Sequence, residues 1–264
     1  MTSDFAIAAF DRFTAELLAS VSSLPGVVGL VVTGSAADRS RLDEWSDHDF
    51  IVVTAPAATE AVRSRLDWLP RFESLVFASP VPGEGYRAIY DDGHVLEFDV
   101  APLEEIRGWQ ANDYSVLLDR GGVEEVMAAI AAKRKPHVSI DAEREIGQFL
   151  VLILIGVGRA RRGESLIAGA AVRNAAVGHL VNAWQERIPA AAPRHVDNLD
   201  NWRRFELVYP ESGPEIARAV AQDVEPAARA LLDIAERRIA PGWTGWPHDA
   251  VAAIRRRLDW QERT

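Results

Sequence analysis

The chain contains no cysteine, so disulfides and thiolate metal centres are excluded. It has no long apolar run: the longest, residues 149–157, is far too short to span a membrane. No basic stretch followed by an apolar one opens the N-terminus, and a cytoplasmic protein with no membrane partner is the expectation. Excess basic charge is missing too. The net charge is −10, and residues 1–135 hold 12 Lys+Arg against 22 Asp+Glu, while residues 136–264 hold 17 of each. Affinity for long nucleic acid comes largely from Lys and Arg neutralising phosphates, so no nucleic-acid partner is expected. An acidic half suits a cationic small substrate, although acidic excess by itself also aids solubility. Histidines at metal-ligand spacing are absent: His94, His137, His179, His195 and His248 show no such pairing and read as structural or surface residues.

The composition that remains, 48% hydrophobic and 26% charged over 264 residues, is that of a globular protein with room for one large domain or two modest ones. Phe5, Ala9, Phe10, Phe13, Leu17, Leu18 and Val21 recur at helical spacing before Pro25-Gly26, which predicts a helix over residues 4–22. Apolar runs predict strands at 27–32 and 50–53, and a helix is expected over about 59–69, ended by Pro70. Strands follow at 75–78, 86–90 and 95–100, the last two joined by the turn-forming Asp91-Asp92-Gly93-His94. Beyond Lys133-Arg134-Lys135-Pro136 the pattern becomes helical. A long buried helix runs up to Arg162 and Gly163, and further helices are expected at about 165–187, 213–239 and 247–261. The expected architecture is α+β, a mixed-sheet domain over 1–135 followed by an all-α helical bundle over 136–264.

Two short motifs carry chemistry. Gly34-Ser35 follows the first strand, and Asp47-His48-Asp49 leads into the second. Side chains alternate along a strand, so Asp47 and Asp49 aim their carboxylates the same way while His48 points away. Like charges that close are costly unless a cation lies between them, and Mg2+ takes one or two carboxylates together with substrate phosphates. A glycine lets backbone N–H groups approach a polyphosphate, and the serine hydroxyl adds a neutral donor. Singly, Gly-Ser and Asp-x-Asp are common turn sequences; their joint spacing between two apolar strands is much more specific. A third carboxylate is expected from another strand, to complete a metal site for in-line displacement at phosphorus. Glu97 and Asp99 supply it, sharing a face opposite Leu96, Phe98 and Val100; a solvent-facing edge strand is the plainer alternative.

Positive charge for a departing pyrophosphate is sought at Arg39 and Arg41, at Lys133, Arg134 and Lys135, and at Arg203 and Arg204. Taken singly, each is a solvated surface charge, and the last two have Glu206 or Asp200 as alternative ion-pair partners. Trp45, two residues before Asp47, is placed to line a cleft. Glu143 and Glu145 suit the start of their helix electrostatically or would line a cationic pocket.

Gly-Ser, eleven residues, then Asp-x-Asp resembles the signature of the polymerase-beta-like nucleotidyltransferase superfamily. That resemblance implies that Gly34 and Ser35 touch nucleotide phosphates and that Asp47 and Asp49 hold Mg2+. The stretch Asp92-Gly93-His94-Val95-Leu96-Glu97-Phe98-Asp99-Val100-Ala101-Pro102-Leu103-Glu104-Glu105-Ile106, with Val116-Leu117-Leu118-Asp119-Arg120, looks like the aminoglycoside 6-adenylyltransferase group. Asn198-Leu199-Asp200-Asn201-Trp202-Arg203-Arg204-Phe205-Glu206 and Tyr209-Pro210-Glu211 look like the helical half of related antibiotic nucleotidyltransferases, which adds weight to Arg203 and Arg204. The 6-adenylyltransferase pattern has an Asp where Glu97 stands, whereas streptomycin and spectinomycin 3''-adenylyltransferases carry a glutamate thought to be the base. Glu97 and Asp99 therefore share the roles of base and third metal ligand, in an order the residues leave open.

The implied activity is Mg2+-dependent transfer of a nucleoside monophosphate, AMP from ATP foremost, to a hydroxyl of a small molecule such as an aminoglycoside, releasing pyrophosphate. A lincosamide or another small-molecule acceptor, a protein- or RNA-modifying enzyme of the toxin–antitoxin kind, and a non-catalytic nucleotide-binding module are the alternatives.

Overall fold

The computed structural model describes residues 4–83, 85–133 and 140–260. Helix α1 (Asp4–Ser22) forms where apolar residues recur every three to four positions, and it buries Phe13, Leu17 and Val21. Strands β1 (Val27–Thr33) and β2 (His48–Thr54) follow, separated by the short helix α2 (Gly34–Ala37). Helix α3 (Thr59–Arg63) stops six residues short of the expected end at residue 69. Its chain turns back there because the Trp68 indole N–H donates to the Val62 carbonyl at 3.0 Å, an acceptor that a continuing helix would use for its own backbone. Trp68 and Leu69 are buried by that turn.

Strands β3 (Leu75–Val81), β4 (Gly85–Tyr90), β5 (Val95–Pro102) and β6 (Tyr114–Asp119) complete a sheet ordered β3-β4-β5-β2-β1-β6. β2 and β5 run parallel, and every other neighbouring pair is antiparallel. No strand was expected at β6; it is half-buried along most of its length, so it has little alternation to read, and its pairing with β1 defines it.

Alternation along the strands divides the core into two layers. Leu30, Val32, Phe50, Val52, Leu96, Phe98 and Val100 pack with α1, whereas Val31, Val53 and Ala101 pack on the other side. There helices α4 (Leu103–Ile106) and α5 (Val123–Ala131) supply Ile106, Val123, Val126, Met127 and Ile130. The fold is α+β, and the chain divides into two compact units, residues 1–135 and 136–264.

The second unit is helical in its described residues, with α6 (Ala142–Arg161), α7 (Ser165–Gly169), a π-helical stretch over Ala170–Ala176 and α8 (Val177–Arg187). Helices α9 (Phe205–Val208), α10 (Gly213–Val220), α11 (Val224–Arg238) and α12 (His248–Leu258) follow. Ile146, Phe149, Ile153, Trp184, Leu231 and Leu232 are among the residues of its core. The single helix expected over 213–239 is two. Pro226 has no N–H for the Gln222 carbonyl, so the helix breaks at 221–223 and restarts with the proline in its first turn. Among the described residues no helix is long and apolar enough to cross a membrane.

His48 shows how tightly α1 is joined to the sheet. The ring is wholly buried and stacks on Phe10 with centroids 3.6 Å apart. Thr14 Oγ1 gives its proton to the Phe10 carbonyl at 3.0 Å, so it must accept from His48 Nε2–H, also at 3.0 Å. His48 Nδ1 is then bare and accepts from His94 Nε2–H at 2.7 Å. His94 Nδ1 in turn faces the Arg71 guanidinium at 3.4 Å. Both imidazoles are neutral in this relay, and an added proton would set donor against donor. Burial first, and then the neighbouring His94, push the His48 pKa from 6.5 down to about 3. Because the folded state resists protonation, stability is complete above pH 6.5 and declines as pH falls from there toward 3. Each pKa unit of that difference contributes at most about 1.4 kcal/mol. Urea unfolding of His48→Gln between pH 7 and 4 is expected to show a shallower acid loss than the native chain; parallel profiles would refute the assignment.

Candidate functional site

Antiparallel pairing of β1 with β2 matches Val32 with Phe50, so Thr33 falls level with Asp49 and the residue after it turns off the end of β1 beside the Asp49 carboxylate. Gly34 occupies that place with φ of +60°, and a Cβ built on it would overlap Asp49 Oδ2. The Gly-Ser turn and the second aspartate of the Asp-x-Asp motif are thus in direct contact. Ser35 lies in the first turn of α2, and Asp47 immediately precedes β2, which starts at His48.

The parallel pairing of β2 and β5 sets Asp49 level with Glu97, and Ile51 level with Asp99. Glu97 and Asp99 point to the face opposite the buried Leu96, Phe98 and Val100, as alternation requires. Two residues along a strand separate them by about 6.7 Å, so Glu97 is the acid nearer Asp49. Glu97 Oε1 accepts from Arg87 Nε at 2.9 Å, across the β4–β5 hairpin. Asp99 Oδ1 accepts from the Val100 N–H at 2.7 Å and lies 3.7 Å from Arg63 Nη2. Among the described residues, no three His, Asp or Glu side chains are grouped closely enough to hold a metal by themselves. Mg2+ does not require that: it keeps waters and substrate phosphates and binds through one or two carboxylates. The hard oxygen donors of Asp47 and Asp49 are of the kind such an ion takes.

The expected cations are differently employed. Arg39 forms a two-point pair with Asp11 of α1, at 2.6 and 2.9 Å, and that guanidinium holds the Asp11 carboxyl below its ordinary range. Arg41 turns back onto Asp38, Asp113 and the Gly34 carbonyl. Lys133 donates to the Arg107 carbonyl at 3.0 Å, while Arg134, Lys135 and His137 lie outside the described residues. In the second unit Arg203 is exposed, and Arg204, at φ of +60°, pairs with the almost wholly buried Asp197 at 2.8 Å. The partner is Asp197 rather than the expected Glu206 or Asp200. Glu145 is buried within the helical unit. Burial alone would raise its pKa, but Asn182 and His179, at 3.0 and 2.8 Å, hold it below the usual value.

Beside Asp47 opens a cavity of about 750 Å3. Phe10 and Phe13 of α1, His48, His94 and the loop from Asp43 to Asp47 line it. Trp45 stands at this cavity with 86% of its surface exposed, on a turn tied down by Asp43 Oδ1, which accepts from the Trp45 N–H at 2.9 Å. Glu16, Asp43, Glu44, Asp47 and Asp92 give its lining carboxylates, against the guanidiniums of Arg12 and Arg71. Arg87 and Arg63 escaped the sequence reading. For Arg87 the signal was partial: the 91–94 turn joins its strand to that of Glu97, but counting back symmetrically sets Arg87 opposite Phe98, and the actual register differs by one residue. Nothing local marks Arg63, which reaches β5 from α3.

No family profile matches the chain, and no curated protein matches it. Among solved structures, it is similar to an aminoglycoside 6-adenyltransferase from Bacillus subtilis at 14% identity, with a TM-score of 0.34, over 93% of this chain and 96% of that one. A superposition that loose carries no argument about activity.

Gly34→Ala tests the close approach. A side chain there meets both the left-handed conformation, at about 1–2 kcal/mol, and the Asp49 carboxylate. A lower thermal midpoint is expected, with part of the loss recovered in Gly34→Ala/Asp49→Ala; equal midpoints for native and Gly34→Ala would show that the turn is not so confined.

Proposed function

We propose that the protein transfers a nucleoside monophosphate, AMP from ATP foremost, to a hydroxyl of a small molecule and releases pyrophosphate. The observation that carries this reading is the contact of Gly34 with Asp49 in the same place where Asp49 stands level with Glu97. A phosphate-accommodating turn, a hard-cation ligand and a candidate base then share one sheet face.

In this reading Asp47 and Asp49 hold Mg2+, with Glu97 or Asp99 adding a third carboxylate, and the bound ion supplies positive charge to the triphosphate. Ser35 donates its hydroxyl to a phosphate oxygen. Glu97 turns from Arg87 and accepts the proton of the acceptor hydroxyl; that oxygen bonds to the α-phosphorus while the bond to pyrophosphate breaks. With Glu97 as the base, Asp99, level with Ile51 and engaged with the Val100 N–H, would be the third carboxylate, one step further along the strand. The cavity beside Asp47 lies on the α1 side of the sheet and is lined by Asp47 but not by Gly34, Ser35, Asp49 or Glu97, so it supports a flanking subsite for an acceptor of drug-like size rather than the place of reaction. Its ring-lined wall and its carboxylates suit a hydroxylated, cationic molecule of the aminoglycoside type, with Trp45 covering one ring face.

Pyrophosphate release from ATP, measured against a panel of hydroxylated antibiotics, tests the reading. Asp49→Asn should lose activity by about 100-fold or more, and Glu97→Gln should fall further than Asp99→Asn. Unchanged turnover in Asp49→Asn would remove the metal assignment, and absence of Mg2+-dependent turnover with every acceptor would leave a nucleotide-binding module. Trp45→Ala should raise the acceptor KM about tenfold, equivalent to roughly 1.4 kcal/mol, with the ATP KM little changed. A rise confined to ATP would move Trp45 to the nucleotide instead.

A further inference from the structure

We infer that Arg41 is a positioning residue that sets the Gly34–Ser35 peptide for a nucleoside triphosphate, an inference that rests on the nucleotidyltransferase reading. By sequence Arg41 is a cation for pyrophosphate. Its guanidinium, however, is already engaged: Nε donates to Asp38 Oδ2 at 2.8 Å, and Nη2 donates to the Gly34 carbonyl at 2.9 Å and to Asp113 Oδ2 at 3.0 Å. Two carboxylates offset its charge, so its leverage lies in geometry. The three anchors come from separate places: the residue that follows β1, the residue after α2 and the approach to β6.

The segment it grips is otherwise held by the packing of Ala36 on the sheet core and by few polar contacts. α2 is four residues long, buries none of them, and has no side-chain cap from Thr33. At the Cα of Gly34 the Asp49 carboxylate leaves no slack. At its carbonyl, the Asp38 N–H donates at 3.2 Å and Arg41 adds the second, charged donor. In a trans peptide the carbonyl and the following N–H point in opposite directions, so fixing the Gly34 C=O on Arg41 aims the Ser35 N–H away from Arg41. Asp49 and Arg41 together therefore define one orientation of the peptide expected to meet phosphate. Arg39, two residues earlier, shares none of these anchors and is committed to Asp11.

Binding of α,β-methylene-ATP with Mg2+, compared with binding of AMP, tests this by calorimetry. Arg41→Ala should bind the triphosphate analogue about tenfold more weakly while AMP affinity changes by less than about twofold. Amide exchange over residues 34–38 should quicken. Arg41→Lys should recover only part of the loss, because one ammonium does not reproduce the guanidinium fork. Asp113→Ala should give a smaller loss in the same direction. A folded Arg41→Ala with native analogue affinity overturns the inference, as does an equal loss for AMP and the analogue, which would denote general structural damage. If Arg41→Ala does not fold, native affinity in both Arg41→Lys and Asp113→Ala overturns it. Failure of the native chain to bind the analogue would instead overturn the nucleotidyltransferase reading, and the inference with it.

Discussion

The parallel register of β2 on β5 is the constraint on which the candidate site depends. On the apolar face Phe50 is the partner of Phe98, and their rings stack with centroids 4.9 Å apart and planes within 3°. Tyr86 stacks on Phe98 and Trp68 meets both rings edge-on, so the pair is held from several sides. A slip of one residue would turn these aromatic rings out of the core and the acids into it. Because that exchange is so unfavourable, Asp49 and Glu97 are held level on the opposite face. The acids owe their place to hydrophobic packing behind them.

Holding acids side by side carries an electrostatic cost, and the surrounding basic residues are arranged to lessen it. Arg87 meets Glu97 from β4, Arg63 approaches Asp99 from α3, and Arg41 meets Asp38 and Asp113 at the base of the Gly34 turn. Helices α4 and α5 cover the part of this sheet face that carries Val31, Val53 and Ala101, while Asp49, Glu97 and Asp99 remain half-exposed. One face thus passes from a closed apolar layer to an accessible acidic one along the same strands.

Much of this was legible in local pattern. The alternation of Glu97 and Asp99 with Leu96, Phe98 and Val100 located the acidic face, and the 91–94 turn tied β4 to β5, although the Arg87–Glu97 pair depends on a register one residue away from symmetric counting about that turn. Helix α1 was readable because its apolar spacing is regular and Pro25-Gly26 follows it. β6 was not, since a half-buried strand shows no clean alternation. The expected helix through residue 69 failed because an indole side chain competed for its backbone acceptor. For Arg204, the charge was visible but its partner was not: Asp197 is one of several nearby acids, and only the folded chain brings the two together.

The sequence by itself determined the α+β class, the strand that presents Glu97 and Asp99, and the pairing of a Gly-Ser turn with an Asp-x-Asp motif, because each follows from periodicity or spacing within a few residues. Only the tertiary structure decided that Asp49 stands beside Glu97 rather than Asp99, that Arg41 holds the Gly34 carbonyl, and that His48 is a buried neutral donor to Thr14. Those relations join segments distant in the chain. Their geometry comes from how separate apolar faces fit together, and no local run of residues contains it.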